Sequence, residues 1–221
     1  MNTSEAKYQR RRQELVALLR EKGIANERVL DAIGSVPRHA FVQHGMLTRA
    51  YDDVALPIGH GVTISQPFTV AYQTDILGVK PDSRILEIGT GSGYQAAVLC
   101  EMGAQVFTIE RIRPLYDKTS ELLKRLGYRA VCRYGDGTHG WESVGPFDGI
   151  LVTAGAESVP KPLLAQLRAP EGMKPGGRLV IPVGDRSVQQ MYRITRMGDD
   201  AFEEEILDDF KFVPLLSDTS R

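Results

Sequence analysis

Three glycines alternate near the middle of the chain, at Gly89, Gly91 and Gly93. They follow an apolar run at 85–88, which is typical of a strand covered on both faces. Glycine adopts positive φ without strain and lets a ligand lie against bare backbone. If a helix begins at Tyr94, its first N–H groups have no partner inside the helix and face whatever lies on the turn. The stretch therefore predicts a strand, a turn and a helix that bind a nucleotide-like ligand.

The spacing of these glycines narrows the choice of ligand. A dinucleotide fingerprint has glycines at its first, third and sixth positions. Here they occupy the first, third and fifth, and the sixth is Tyr94. Glu87, an acid just below the turn, would repel a pyrophosphate but could bind an ammonium group. This combination favours S-adenosylmethionine, which carries a sulfonium and an amino-acid group and has no phosphate. A glycine-rich turn without a ligand is the alternative.

Two more acids follow the next predicted strands. Glu110 ends the strand at 105–109, about 20 residues beyond the turn, where an acid can accept hydrogen bonds from both ribose hydroxyls. Its alternative is a surface acid beside Arg111. Asp136 precedes Gly137 after the third strand, and its carboxylate could contact the adenine amine or cap the next segment.

Composition excludes several classes of function. The chain has 221 residues, enough for one sizeable core, and its formal net charge of −1 gives no sign of a nucleic-acid or anionic-membrane surface. The two cysteines and four histidines show no metal-ligand spacing, so no metal is expected. His60 alone lies in the suspected site loop, either solvated or catalytic.

There is no signal-peptide pattern and no apolar run of the ~20 residues that span a bilayer. We expect a reduced, cytoplasmic protein with no membrane or nucleic-acid partner.

The remaining patterns predict an α/β fold. Strand and helix patterns alternate from residue 83, which predicts a doubly wound, mostly parallel, seven-stranded Rossmann-like sheet. Predicted strands are 84–88, 105–109, 129–133, 147–153 and 178–183, followed by an antiparallel C-terminal edge hairpin of 189–196 and 202–213. Predicted helices between them are 93–102, 113–126 and 159–168.

The chain is expected to form a single domain, 1–221, with three parts. Residues 1–55 form an N-terminal helical cap, in which Asn26 is the N-cap of a second helix. Residues 56–82 hold an active-site loop, irregular over 56–67, and a helix that starts at Pro67. Residues 83–221 form the cofactor-binding core.

Together these segments resemble the protein-L-isoaspartate O-methyltransferase family, a branch of the class I S-adenosylmethionine-dependent methyltransferases. The resemblance covers nearly the whole chain, and its most specific segment is Thr-Ile-Ser-Gln-Pro at 63–67. The other segments that carry it are 36–39, 56–59, 86–94, 135–137, 147–153 and 176–184. The strand end at 152–155 lacks the Asn/Asp-Pro-Pro-aromatic motif of enzymes that methylate base amines.

The resemblance implies roles for individual residues. Ser65 matches the active-site serine, and Thr63 and Ile64 would bind substrate with it. The residues expected to bind the cofactor are Ile58, Gly59, Glu87, Gly89, Gly91, Ser92, Gly93, Glu110, Arg111, Asp136 and Gly137.

The implied reaction transfers a methyl group from S-adenosylmethionine to the α-carboxylate of isoaspartyl residues in damaged proteins and peptides. That carboxylate is ionised at neutral pH, since its ordinary pKa lies near 4, so no general base is needed. Ser65 would orient it by donating a hydrogen bond, and the resulting ester would close to a succinimide off the enzyme. The partners implied are isoaspartyl-containing proteins and peptides. The protein itself is expected to be a monomer.

Two departures from the family pattern bear on substrate preference. Residues 168–173 look like an insertion, and Phe68-Thr69 stands where members often have Tyr-Met or His-Met. Two alternatives stay open: a class I methyltransferase for another carboxylate or hydroxyl, and a non-catalytic S-adenosylmethionine-binding module.

Overall fold

Helices α1 (Thr3–Glu21) and α2 (Glu27–Ser35) begin the chain in the computed structural model, which describes residues 3–219. The Asn26 side chain accepts a hydrogen bond from the N–H of Arg28 at 3.2 Å, which confirms the predicted N-cap. The buried face of α2 has the spacing of an amphipathic helix and consists of Val29, Leu30, Ala32 and Ile33. Two short 3-10 helices follow, at Arg38–Phe41 and His44–Arg49.

The segment at 56–67 differs from its sequence-based expectation. Much of it is a two-stranded antiparallel hairpin, β1 (Leu56–Gly59) and β2 (Val62–Ile64), so the prediction of an irregular loop is wrong there. Ile58 and Ile64 are buried and anchor the two strands to the core. His60 and the glycines on either side of it have positive φ and form the turn. Helix α3 (Pro67–Leu77) then begins at the predicted proline.

The main sheet has seven strands in the order β5-β4-β3-β6-β7-β8-β9. Its strands are β3 (Arg84–Ile88), β4 (Gln105–Glu110), β5 (Ala130–Tyr134), β6 (Gly149–Val152), β7 (Arg178–Gly184), β8 (Gln189–Arg196) and β9 (Phe202–Phe210). The helices between them are α4 (Tyr94–Glu101), α5 (Arg113–Arg125) and α6 (Lys161–Ala165). Strands β3 to β7 pair in parallel, whereas β8 and β9 pair antiparallel at one edge. The predicted fold class is confirmed.

Strands β6 and β9 and helix α6 are shorter than predicted, because part of the backbone assigned to each of them pairs elsewhere. The N–H of Phe147 donates to Gln166 O at 2.9 Å and that of Arg168 donates to Phe147 O at 2.8 Å, so both β6 and α6 are shorter than predicted. Beyond β9 the chain leaves the sheet. The N–H of Gly155 then donates to Val213 O at 2.8 Å, which carries the C-terminal tail back over the ends of the central strands.

Buried side chains cover both faces of the sheet. Ile85 packs into a cluster shared with the N-terminal helices, the hairpin and α3 to α5, and Leu86 packs into a second cluster with Phe147 and Leu179. This alternation explains the continuous apolar run of β3. Among the described helices, none is both long and apolar enough to cross a membrane. The division of the chain at residues 55 and 82 stays a prediction.

Gly93 and Gly127 provide a test of packing behind the turn, because their φ angles are 86° and 84°. A Cβ at Gly93 would lie 2.7 Å from Thr119 Cγ2 and 3.2 Å from Leu123 Cγ, whereas none of the neighbours considered lies within 4 Å of one at Gly127. We expect Gly127→Ala to lower the free energy of unfolding by about 1 kcal/mol through backbone strain alone. Gly93→Ala should lower it by roughly 1–3 kcal/mol more through overlap. Urea unfolding measures both, and equal losses would contradict this packing role.

Candidate active site

A cavity of about 190 Å³ lies at the carboxyl ends of the parallel strands, where the strand order reverses between β3 and β6. This is the position at which open α/β sheets bind ligands. Its walls come from the glycine turn, the ends of β4 and β6, the β1–β2 hairpin and the C-terminal tail. Its lining includes Gly89, Gly91, Glu110, Arg111, Gly137, Thr153, His60, Thr63 and Val213.

The glycine turn presents bare backbone to this cavity. Gly89 and Gly91 line it with φ angles of 95° and 52°. The N–H groups of Gly89 and Thr90 both donate to Ile109 O, at 2.9 and 3.2 Å. The N–H of Tyr94 donates to the Ser92 hydroxyl at 3.3 Å, so the expected unpaired N–H at the helix start is wrong for this residue. The turn therefore offers a ligand close approach to its Cα atoms, and the N–H of Tyr94 is already engaged.

Glu110 is 4% exposed and lines the cavity at the end of β4. Its Oε2 accepts from the N–H of Gly91 at 2.8 Å, and its Oε1 accepts from the N–H of Ile112 at 2.9 Å. Two backbone groups thus fix the carboxylate, and each oxygen keeps a lone pair for a further donor.

Glu87 lies beneath the turn and is fully buried. Its Oε2 accepts from the Thr108 hydroxyl at 2.5 Å, while its Oε1 has no hydrogen-bond partner within the described residues. Glu87, Gly89, Thr90 and Ser65 are among the residues that line a small cavity of about 30 Å³. Burial raises the pKa of the Glu87 carboxyl to about 8. The hydrogen bond from Thr108 lowers this pKa, and the negative charge of Glu110 raises it further.

The C-terminal tail is held over the cavity by two of the predicted site residues. Asp136 Oδ1 accepts from the N–H of Thr138 at 2.8 Å, and its Oδ2 accepts from the N–H of Asp218 at 2.8 Å. Arg111 Nε donates to Asp218 O at 2.8 Å. The Asp136 carboxylate is thus engaged by its own turn and the tail, and its neighbour Gly137 lines the cavity instead.

Other predicted cofactor residues lie away from this cavity. Ile58 and Ser92 line a separate cavity of about 50 Å³, and Ser92 also borders the small cavity at Glu87. Gly59 belongs to the hairpin turn, with φ of 99°. Gly93 packs against α5. The structure therefore brings together Gly89, Gly91, Glu110, Arg111 and Gly137, and sets this second group apart.

A larger cleft of about 490 Å³ adjoins the cavity. Ser65 lines the cleft, and Thr63, Thr153 and Val213 line both spaces, so the two meet there. Ile64 is 2% exposed and borders only the small cavity at Glu87. The Ser65 hydroxyl makes no hydrogen bond to any other residue of 3–219 in the structure.

Sequence reasoning missed Thr153 and the tail as parts of the site. The Thr153 hydroxyl donates to Gly89 O at 2.7 Å, which supports the turn from β6. Its position after a central strand, the signal used for Glu110, could have revealed it. The tail residues Val213 to Leu216 gave no such signal, because their place depends on long-range pairing. Among residues 3–219, no group of three or more His, Cys, Asp and Glu side chains could hold a metal ion.

Comparison with known proteins identifies the family. A family model described as protein-L-isoaspartate(D-aspartate) O-methyltransferase matches residues 10–220. The chain belongs to this family. A protein-L-isoaspartate O-methyltransferase of Salinibacter ruber is 56% identical over 98% of this chain and 96% of its own length. One of Flavobacterium psychrophilum is 52% identical over 96% of this chain and 97% of its own.

Solved structures of the protein-L-isoaspartate O-methyltransferase family share the fold. One superposes with a TM-score of 0.81 at 26% identity, covering 92% of this chain and 65% of that one. A Plasmodium falciparum structure that bears the family name, in complex with S-adenosyl-L-homocysteine, gives 0.78 at 26% identity over 93% and 98%. The resemblance drawn from the sequence is confirmed. The chain is an S-adenosylmethionine-dependent protein carboxyl methyltransferase.

The raised pKa of Glu87 gives a testable pH dependence of stability. The unfolded chain releases this proton near pH 4.3 and the folded protein keeps it to about pH 8. The stability from the protonated form is therefore complete below about pH 4.3 and falls by about 1.4 kcal/mol per pH unit as the pH rises toward 8. Glu87→Gln cannot ionise, so we expect urea unfolding of the ligand-free variant to show a smaller loss over this range.

Glu157→Gln is the matched control, because Glu157 is exposed. It should reproduce the pH profile of the parent protein. A Glu87→Gln profile parallel to that of the parent would show that Glu87 is already ionised in the folded state.

Proposed function

We propose that the 190 Å³ cavity holds the cofactor of this protein-L-isoaspartate O-methyltransferase and that the 490 Å³ cleft holds the isoaspartyl residue. The observation that carries this assignment is their junction at Thr63, Thr153 and Val213, with Ser65 lining the cleft and the small cavity at Glu87 but not the 190 Å³ cavity. A methyl donor and its acceptor must occupy two adjoining spaces, and these two adjoin at the reversal of strand order.

The residues of the cavity fit S-adenosylmethionine. Glu110 is a fixed acceptor at a strand end and would bind the ribose hydroxyls. Gly89, Gly91 and Gly137 leave room for a flat ring system against backbone. Glu87 Oε1, buried without a partner among the described residues, would accept from the ammonium group. When bound, the cofactor supplies a methyl group on a positively charged sulfur.

The other predicted contacts would support the cofactor indirectly or at its margins. Arg111 and Asp136 would act by holding Asp218 and the tail in place. Ile58 packs near Gly91, since a Cβ there would lie 3.7 Å from Ile58 Cδ1. Ser92 would fix the backbone of the glycine turn, and Gly59 would fix that of the hairpin turn. Gly93 would keep α5 close to the glycine turn.

The chain's task toward the acceptor is orientation. An isoaspartyl α-carboxylate is ionised at neutral pH and is already a nucleophile, so no residue has to remove a proton. The Ser65 hydroxyl would donate a hydrogen bond to one carboxylate oxygen and so direct the other. Thr63, at the junction, would narrow the passage between acceptor and cofactor. A normal aspartyl residue carries its free carboxylate on Cβ, whereas an isoaspartyl residue carries it on Cα. The aspartyl carboxylate would therefore lie in a different position and would miss this donor.

We also infer a monomer that works in the cytoplasm without nucleic-acid or membrane partners. The formal net charge of −1 supports the lack of nucleic-acid and membrane partners, because it gives no overall attraction to these negatively charged surfaces. Both cysteines, Cys100 and Cys132, are unpaired thiols, as is usual in reducing compartments.

Ser65→Ala tests the role of the serine. We expect methanol release from an isoaspartyl peptide to fall on the order of 100-fold, because an orienting donor is lost. Affinity for S-adenosyl-L-homocysteine, measured by calorimetry, should be unchanged. Ser187→Ala is the matched control in the same cleft, since the Ser187 hydroxyl already donates to Asp185 Oδ1 at 2.5 Å, and it should keep most of the turnover. Full activity of Ser65→Ala would remove Ser65 from the mechanism, and equal turnover of the aspartyl twin peptide would refute the substrate.

Glu110→Gln tests the ribose contact. An amide cannot accept from Gly91 and Ile112 with two oxygens at once, so the turn and the ligand both lose a charged acceptor. We expect the Kd for S-adenosyl-L-homocysteine to rise by about 10- to 100-fold, as for the loss of a charged hydrogen bond. Glu101→Gln, at the exposed end of α4, is the control. A Kd equal to that of the control would rule out the contact.

A further inference from the structure

Two charged side chains from the N-terminal part of the chain reach the backbone around Ser65. The first is Arg38, which is 0% exposed. Its Nη2 donates to Ser65 O at 2.9 Å and lies 3.4 Å from Val54 O. Its guanidinium also lies 4.7 Å from the centroid of the Tyr94 ring, at the start of the helix that follows the glycine turn.

The second is Asp53, whose side chain is 5% exposed. Its Oδ1 accepts from the N–H of Phe68 at 2.8 Å and its Oδ2 accepts from Gln66 Nε2 at 3.0 Å. These donors lie at the first turn of α3, where a carboxylate is favoured by unpaired N–H groups and by the helix dipole. Lys22 Nζ completes the set at 2.6 Å from Oδ2.

We propose that Arg38 and Asp53 form a clamp that sets the position of the Ser65 hydroxyl in the acceptor cleft. This inference rests on the proposed role of Ser65. Arg38 holds the carbonyl of Ser65 itself, and Asp53 holds Gln66 and Phe68, so the backbone is fixed immediately C-terminal to the Ser65 side chain. Neither residue lines the cavity or the cleft. They are positioning residues.

The burial of Arg38 indicates that this residue positions the Ser65 segment and contributes little to the stability of the fold. Within the described residues its Nε and Nη1 have no hydrogen-bond partner, and a buried charge with unmatched donors contributes little net stability. The same side chain contacts both the Ser65 segment and the ring of Tyr94. It thereby links the acceptor side of the site to the helix behind the cofactor turn.

Asp53→Asn and Lys22→Gln form the first matched pair. The asparagine keeps the shape of the side chain but loses the charge that accepts from Phe68 and Gln66. Lys22→Gln removes the outer ion pair of Asp53 and the contact of Lys22 with the Phe68 ring, and it leaves the hydrogen bonds from Phe68 and Gln66 to Asp53 in place. We expect kcat on an isoaspartyl peptide to fall about tenfold in Asp53→Asn, because a small displacement of an orienting group is costly, and to be unchanged in Lys22→Gln. The Kd for S-adenosyl-L-homocysteine should stay within about twofold in both.

The second set of variants tests Arg38. It consists of Arg38→Lys, Arg38→Met and the control Arg28→Met. Lysine keeps a positively charged donor and should retain more kcat than methionine, which keeps none. Arg28 donates to Val79 O and Met102 O at 3.3 and 2.9 Å, away from the clamp. Arg28→Met should therefore lower the Tm without lowering kcat, and it shows what loss of stability alone does. If Arg38→Met does not fold, Arg38→Lys and Asp53→Asn still provide the test.

The deciding measurement is a double-mutant cycle between Asp53→Asn and Ser65→Ala. If the clamp acts through Ser65, Asp53→Asn has no further effect on kcat once the hydroxyl is absent. Additive losses would overturn the clamp, as would full kcat in Asp53→Asn and Arg38→Lys. Full kcat in Ser65→Ala alone would instead overturn the role of Ser65, so the two failures are distinguishable.

Discussion

The glycine turn is held in place by the end of β4, and the rest of the site depends on this attachment. Ile109 O accepts from the N–H groups of Gly89 and Thr90, and the Glu110 carboxylate accepts from that of Gly91. The turn's conformation is thus determined by a neighbouring strand in the rigid centre of the sheet. The same carboxylate faces the cavity, so one residue both shapes the turn and offers acceptors to a ligand.

The outer walls come from segments that are remote in sequence. The β1–β2 hairpin and the tail meet above the turn at Thr63 and Val213, which line both the cavity and the cleft. Gly155 pairs with the tail on both sides, accepting from the N–H of Leu215 at 2.7 Å and donating to Val213 O at 2.8 Å. A central strand end therefore positions the tail, and the junction of the two spaces follows from the topology of the sheet.

The sequence was most informative where the pattern is local. Buried apolar runs predicted the strands, and parallel topology then placed Glu110 correctly at the cavity. The hairpin at 56–64 was missed because its strands are short, because β1 contains Pro57 and Gly59, and because its burial comes from tertiary packing. Glycine spacing could not show that Gly93 packs on α5 while Gly91 faces the cavity. Nor could it show that the Asp136 carboxylate would be engaged by Asp218, 82 residues away.

The placement of charge suits a reaction whose nucleophile is already ionised. A cation against the acceptor carboxylate would stabilise the ground state and lower its nucleophilicity, whereas a neutral hydroxyl orients it with less penalty. Around Ser65 the charges of Arg38 and Asp53 contact the backbone and do not line the cleft, whereas Ser65 does. Strong, charge-assisted hydrogen bonds thus fix the peptide chain, and the proposed role of Ser65 leaves a weaker hydrogen bond for the substrate. In the proposed mechanism, which needs no general base, this separation makes the Ser65 segment rigid without tightening the binding of the acceptor.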